Sequence, residues 1–418
     1  MTEEGRLSAP NRQTRAEVQR LVAEFVSSGM RHSASCRSRG LRFGTLDRHL
    51  NRRRWWFVDF PPYGGGWFLM IIPFTERRVL LTGAGGSIGS ALAKTILRHR
   101  PQSLILLDHS EGNLHQITFD LSVLPGCHVL SPIVGDICDR ALLTKLFQER
   151  KPETIIHAAA FKHVPLMESN PIAAVRNNAL GTYLLAQTAR MHDVTTFVMV
   201  STDKAVNPHS VMGASKRFAE LALLRWSSPR SPMRAVRLGN VLGSRGSVVP
   251  IFLQQISEGG PVTVTHDAVN RYFLSLSDAL ELVLLTTSLD GEGGIFIPNP
   301  GEPVRILDLA KRLIKEAGFE PEIEIPIVMT GLRPGDKMTE EFVSDLEWVD
   351  SADDARLRLI KTIQPSPEEF DSAIAALKES VARHNMAEIL KQLCWLVPEY
   401  RPSEMILESL KEQRAISL

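Results

Sequence analysis

The chain has 418 residues, of which 44% are hydrophobic and 23% charged, with a formal net charge of +1 at pH 7. That is ordinary for a folded soluble protein, and the near-zero charge gives no polyelectrolyte surface for nucleic acid. Four cysteines (Cys36, Cys127, Cys138 and Cys394) with no C-x-x-C pair exclude a disulfide framework and suit a reducing, cytoplasmic setting.

The first residues stand apart. Residues 1–78 hold fourteen Arg, no Lys and seven Asp or Glu. Ala16–Phe25 has the spacing of one short helix. Beyond it, Arg52–Trp56 and the glycines at 64–66 show no sustained period. Residues 1–75 therefore read as a poorly ordered Arg-rich extension, with contact to a membrane surface or a partner as the alternative. The most apolar stretch, Trp55–Pro73, is broken by Asp59, Pro61, Pro62 and three glycines, so no transmembrane span is expected. Met1–Pro10 is too polar to open a secretory signal.

Order begins at Arg77. Val79–Leu81 reads as a strand, followed by a glycine-rich turn and a helix over Ile88–Leu97. Further strands are expected at Leu104–Leu107, Val129–Val134, Thr154–His157, Phe197–Ser201 and Ala235–Leu238. Helices fall between them at Ala141–Arg150, Ile172–His192 and Ala214–Trp226. Continuous apolar strands alternating with helices predict an α/β protein with a doubly wound parallel sheet covered on both faces. The expected division is a dinucleotide-binding (Rossmann) domain over 76–240 and a smaller, proline-punctuated α/β substrate lobe over 241–345, some of whose strands return to the core. A charged helical segment over 346–418 follows, with one helix at Pro367–Asn385.

The turn Thr82–Gly89 places Gly83, Gly86 and Gly89 at G-x-x-G-x-x-G spacing, directly before a helix that opens at Ser87 and Ile88. Glycine allows a positive φ and close backbone approach to a pyrophosphate, and the helix N-terminus supplies unpaired N–H groups. Asp108 ends the second strand, where a carboxylate accepts from adenosine ribose hydroxyls and repels a 2′-phosphate. The cofactor is therefore NAD or NADP, with NAD favoured. Asp136 and Ile137 follow the third strand, within reach of the adenine. Ala158, Ala159 and Ala160 follow the fourth, small enough for a cofactor to lie against the sheet edge.

Polar residues cluster beyond two strand ends, where open parallel sheets bind ligands. These are His157 through His163, including Lys162, and Ser201-Thr202-Asp203-Lys204. Asp203 and Lys204 read either as an acid–base pair or as a solvated strand-end pair. His157 reads as a buried ring satisfied by hydrogen bonds. No H-E-x-x-H or similar spacing suggests a metal.

Taken together, TGAGGSIGS, GDICD, HAAAFKHVPLME, NNALGT, STDKAVNP, VMGASK, RLGNVLGSRGSVVPIF, THDAVNRYF and GLRPGDKMTEE resemble the CapD/FlaA1 group of polysaccharide-biosynthesis proteins over residues 76–345. These are extended short-chain dehydrogenases that act as UDP-N-acetylglucosamine 4,6-dehydratases. The resemblance implies that C4 of a UDP-hexosamine is oxidised, which makes the C5 proton acidic. Water is then lost across C5 and C6, and the hydride returns at C6. It assigns Asp203 as acid at O6, Lys204 as base at C5, Ser201 near the C4 oxygen and Lys216 on the nicotinamide ribose. It adds Lys162 and Asn178 to the cofactor set. Lys162, Asn240, Arg245, Ser247, Val248, Arg271 and Arg333 join the UDP-sugar set, with structural ion pairs as the other reading of the arginines. It also implies a homo-oligomer.

The sequence departs from the pattern at Met212, where the usual motif has tyrosine. A thioether accepts no hydroxyl proton as phenolate does. Lys162, His163 or water is then left as base for the C4 hydroxyl, in the Ser-Met-Lys variant of the site. Asn270 and Asp336 are milder departures. The alternatives are a nucleotide-sugar 4-epimerase, which returns hydride to C4 without elimination, and a silent binding protein that keeps the fold.

Overall fold

The computed structural model describes residues 74–416 except 300 and 353, so nearly all of the extension expected over 1–75, with the helix expected at Ala16–Phe25, lies outside the described residues. The described chain divides into two compact units. One comprises 248–263 and 310–328, and the other comprises 74–247, 264–309 and 329–416. In the smaller unit, a helix spans Val248–Ser257 and the Val262 N–H donates to the Pro326 carbonyl at 2.9 Å. Of the stretch expected as a separate lobe, residues 264–309 and 329–345 thus belong to the larger unit.

The larger unit is built on β1 (Arg78–Thr82), α1 (Ser87–Arg98), β2 (Ser103–Asp108), α2 (Glu111–Ser122), β3 (Leu130–Val134), α3 (Arg140–Arg150), β4 (Thr154–His157), α4 (Thr182–Met191), β5 (Thr196–Thr202), α5 (Val211–Trp226) and β6 (Met233–Leu238). It continues through α6 (Leu276–Ser288), β7 (Gly294–Pro298), β8 (Glu347–Ser351), β9 (Leu357–Thr362), α7 (Pro367–Ala382) and α8 (Met386–Leu396). Nine strands form one sheet in the order β8-β9-β7-β6-β5-β4-β1-β2-β3. From β3 to β7 every pairing is parallel, with Val79 opposite both Leu104 and Thr154. The chain runs outward from β1 to β3, then restarts at β4 on the other side of β1. The crevice beyond the carboxyl ends of β1 and β4 is the place where such sheets bind ligands.

Alternate residues of one strand feed opposite faces. Leu81, Leu106 and Val198 pack with α1, α2 and α6 on one face. Leu80, Ile105 and Phe197 pack with α3 and α4 on the other. A third cluster joins α5 to α7 and α8, where the Phe218 and Phe370 rings stack at 5.6 Å. α5 is capped by Ser210, which accepts from the Gly213 N–H at 3.1 Å, and α6 and α7 open with capping boxes at Ser275 and Ser366. No helix among the described residues is long and apolar enough to cross a membrane.

Two expectations are corrected. Residues 346–418, expected to be helical, begin with the antiparallel hairpin β8–β9, which pairs with β7. Only Leu357 and Ile360 of β9 are buried, so its charged residues hide the strand period. The single helix expected over Ile172–His192 is a short helix at Pro171–Ala174, a π-helical stretch at Val175–Gly181 and then α4. The π-helical stretch is short and flanked by helix on both sides, so the run as a whole still reads as helical.

Candidate active site

The glycine turn lies flat against the segment after β4. Gly83 has φ +67°, and a Cβ there would stand 2.6 Å from the Ala159 nitrogen. A Cβ on Gly89 would stand 2.0 Å from the Gly83 carbonyl oxygen, so α1 starts hard against the turn. No side chain caps α1 at Gly86, which leaves the first-turn N–H groups of Ser87 and Ile88 to an anion. Gly89→Ala is expected to push α1 off the turn and weaken dinucleotide binding by about tenfold or more, read by fluorescence titration.

Asp108 is 7% exposed and braces this turn, accepting from Gly85 N–H at 2.8 Å and Ser110 N–H at 2.9 Å. A carboxylate has about four acceptor sites, so capacity remains for ribose hydroxyls. Asp136 accepts from the Cys138 N–H and from Arg176, while Ile137 beside it is buried. Ala158 and Ala159 are half-buried and Ala160 is exposed. Asn178, in the π-helical stretch, is turned inward. It bonds both backbone atoms of Phe161 and the Ser215 hydroxyl, so it ties the segment after β4 to α5 rather than facing outward.

His157 behaves as the buried-ring reading expects. Its nitrogens lie 2.7 Å from the Thr82 hydroxyl and 2.8 Å from that of Thr182, and burial, with a contribution from Lys216, pushes its pKa down to about 3. Lys216 is buried and donates to the Val200 carbonyl at 2.8 Å. Burial pushes its pKa down to about 8 against the pull of Glu220. Met212 is 2% exposed and packs in the apolar cluster of α5, α7 and α8.

Asp203 and Lys204 form a tight pair just beyond β5. Asp203 is fully buried. Its Oδ1 accepts from Lys204 Nζ and from the Thr202 hydroxyl, both at 2.9 Å, and its Oδ2 is buried without a partner. Buried polar atoms are normally satisfied, so Oδ2 is suited to a ligand hydroxyl. Lys204 also donates to Asn240 Oδ1 at 2.9 Å and lies 3.8 Å from Glu340. Burial works to lower the Lys204 pKa, but Asp203 and Glu340 raise it above the ordinary lysine value.

Ser201 is not aimed at this pair. Its hydroxyl donates to Glu220 at 2.7 Å on the opposite side of β5, and strand alternation instead puts Thr202 beside Asp203. Glu220 belongs to a buried ionic cluster. Arg237 is fully buried and makes paired bonds to Glu220 at 2.9 and 2.8 Å and to Glu347 at 2.8 and 2.6 Å. Arg217 meets Glu220, Glu347 and Glu399 as well.

The arginines divide. Arg245 donates to Asn113 at 2.7 Å and its N–H to Ser87 at 3.1 Å, which sets it over the glycine turn rather than at a separate nucleotide site. Arg271 is buried and spends its guanidinium on the carbonyls of Asn270, Lys337 and Met338, as a structural residue does. Arg333 is exposed and paired with Asp336 at 2.8 Å. Ser247 Oγ is buried without a partner, and Val248 opens a helix in the smaller unit. Lys162 is exposed, and its pKa is lowered by partial burial and then by Lys204. That of His163 is lowered by burial, then by Lys162 and Arg333. Thr202 and Glu340 are the site residues that sequence reasoning missed. The alternation of β5 signals the first; the second lies within the GLRPGDKMTEE motif, where nothing local sets it apart from Glu341 beside it.

This is an extended short-chain dehydrogenase/reductase fold, with the Asp203–Lys204 ion pair at one strand end. The profile of a family described as "Polysaccharide biosynthesis protein" matches residues 79–362, and the chain belongs to that family. It is 48% identical over 273 residues to the probable polysaccharide biosynthesis protein EpsC of Bacillus subtilis and 46% identical over 276 residues to the capsular polysaccharide biosynthesis protein CapD of Staphylococcus aureus. Each match covers 65% of this chain and 46% of the relative, so the chain spans under half the length of either. More distant relatives bear two names. A UDP-N-acetylglucosamine 4,6-dehydratase (inverting) of Campylobacter jejuni is 31% identical over 65% of this chain and 78% of its own. A UDP-glucose 4-epimerase of Rickettsia massiliae is 32% identical over 68% and 82%. Among solved structures, Pen from Bacillus thuringiensis is similar at 30% identity and TM-score 0.59, covering 64% of this chain and 84% of that one.

Proposed function

We propose that this chain carries out NAD(P)-dependent 4,6-dehydration of a UDP-hexosamine, UDP-N-acetylglucosamine in the first instance, to a 4-keto-6-deoxy sugar for polysaccharide synthesis. The observation that carries the reading is the Asp203–Lys204 pair. One proton passed along its 2.9 Å hydrogen bond turns an ion pair into a neutral amine and a carboxylic acid. Those are the base and acid that an elimination consumes. Lys204 takes the C5 proton, the C5–C6 double bond forms, and Asp203 protonates the C6 oxygen as it leaves as water. An epimerase needs no such pair at C5 and C6.

The uncapped start of α1, the turn braced by Asp108, and Lys216 would hold the dinucleotide, with NAD favoured by the Asp108 carboxylate. When bound, it supplies hydride acceptance at C4 and hydride return at C6. Lys162 takes the C4 hydroxyl proton in place of the missing tyrosine, since its amine is already easier to neutralise than an ordinary lysine. Thr202, beside Asp203, replaces Ser201 as the hydroxyl next to the reacting oxygens. The exposed cations Lys162, Arg333 and Arg245 offer charge to the diphosphates.

The test is mass spectrometry of UDP-N-acetylglucosamine incubated with the protein in deuterated water. Loss of one water with deuterium gained at C5 is expected. An unchanged mass with conversion to the galacto isomer would replace this reading by the epimerase.

A further inference from the structure

Lys204 has three N–H donors. Two go to Asp203 and Asn240 at 2.9 Å, and the ammonium stands 3.8 Å from Glu340 Oε1. Glu340 is 4% exposed and comes from a segment far from β5 in sequence. It is held there by two cations, Lys337 Nζ at 2.8 Å and Arg271 Nε at 3.9 Å. Both cations are themselves anchored to backbone carbonyls, Lys337 to Val206 and Arg271 to Asn270, Lys337 and Met338. Glu340 is therefore a fixed negative charge aimed at the amine, not a mobile surface carboxylate.

We propose that Glu340 is a positioning residue for the Asp203–Lys204 pair, holding the Lys204 ammonium in place and opposing transfer of its proton to Asp203. The inference rests on the proposed function for its purpose, but not for its geometry. Between two carboxylates, Lys204 holds its proton rather than passing it across the hydrogen bond. In that state the pair is neither base nor acid, so the elimination waits on an event that weakens the hold of Glu340. The charged groups facing Lys204 are Asp203 on its own turn, Glu340 on the segment after Asp336, Arg271, and Lys162 after β4. His209 and Lys337 stand behind Glu340. Asp203 and Glu340 favour the ammonium, whereas burial, Arg271 and Lys162 disfavour it. As pH rises the neutral amine grows only above the ordinary lysine range, and removing Glu340 moves that transition downward.

The experiment follows the side-chain NMR signal of Lys204 against pH in the full chain with isotope-labelled lysine, assigned by its loss in Lys204→Arg. Glu340→Gln is expected to lower the Lys204 midpoint by about one pH unit or more. Where the wild type dehydrates its sugar, the alkaline limb of C5 deuterium uptake is expected to move down by the same amount. Glu340→Asp keeps the charge with a shorter reach and is expected to give a smaller shift. It serves as the test variant if Glu340→Gln does not fold. A Lys204 midpoint unmoved in both variants, whatever their melting temperatures, would overturn the proposal and leave Glu340 a structural anchor. A shifted midpoint in a protein that turns over no UDP-sugar would keep the proposal and sink the functional reading instead.

Discussion

Asp203→Asn is expected to abolish most dehydration while leaving the dinucleotide bound. General acid catalysis contributes about 10²–10⁴-fold, and the variant is expected to lose that much in the rate of water loss from UDP-N-acetylglucosamine. An amide at 203 keeps an Oδ1 acceptor for the Thr202 hydroxyl and Lys204 but can neither hold nor release the required proton. Among the described residues the side-chain hydrogen bonds of Asp203 go to Thr202 and Lys204, not to the glycine turn, Asp108 or Lys216, so titration with the dinucleotide is expected to be unchanged. Oxidation at C4 does not need the acid, so a reduced nicotinamide absorbance is expected to accumulate with a 4-keto sugar that has kept its C6 hydroxyl. Dehydration at the wild-type rate would remove Asp203 from the chemistry. Epimerisation that survives the substitution would point to the alternative reaction.

The second large effect is on stability. Arg237 is fully buried and bonds Glu220, Glu347 and the Phe342 carbonyl. Burial works to lower its pKa, and the two glutamates more than offset that; Arg237 in turn lowers the pKa of Glu220 against the same burial. Arg237→Met leaves two buried carboxylates with Arg217 as their one remaining ion-pair partner among the described residues. Breaking one side of a buried ion pair costs about 3–5 kcal/mol, which lowers the melting midpoint by roughly 5 °C or more. Scanning calorimetry checks it. Arg237→Met combined with Glu347→Leu is expected to regain part of the loss, because fewer charges are then left unpaired. Equal melting temperatures for wild type and Arg237→Met would show the cluster to be energetically idle.

What could be read from the sequence followed from local physics. β1, β2 and β4 are continuous apolar runs that announce a sheet buried on both faces. The glycine spacing announces a turn that its close contacts with Ala159 and Gly83 now explain. What could not be read depends on partners remote in sequence. Ser201 and Thr202 are adjacent hydroxyls, and only the packing of Glu220 beneath β5 decides which one turns outward. Arg271 and Arg245 carry the same charge, yet one is consumed by carbonyls and the other reaches the glycine turn. Glu340 lies in a loop with no period to mark it. The hairpin β8–β9 escaped because β8 is an edge strand buried only at Glu347 and β9 buries only Leu357 and Ile360, too few positions for a strand period.

The ionic cluster beneath β5 also has a schedule. Its arginines, 217 and 237, leave the ribosome well before Glu347 and Glu399, which neutralise them. At about 5–20 residues per second, the two guanidiniums wait several seconds for those carboxylates, with Glu220 shared between them in the meantime. Adding β9 and β8 beside β7 is therefore the step that completes the buried cluster of the parallel part of the sheet.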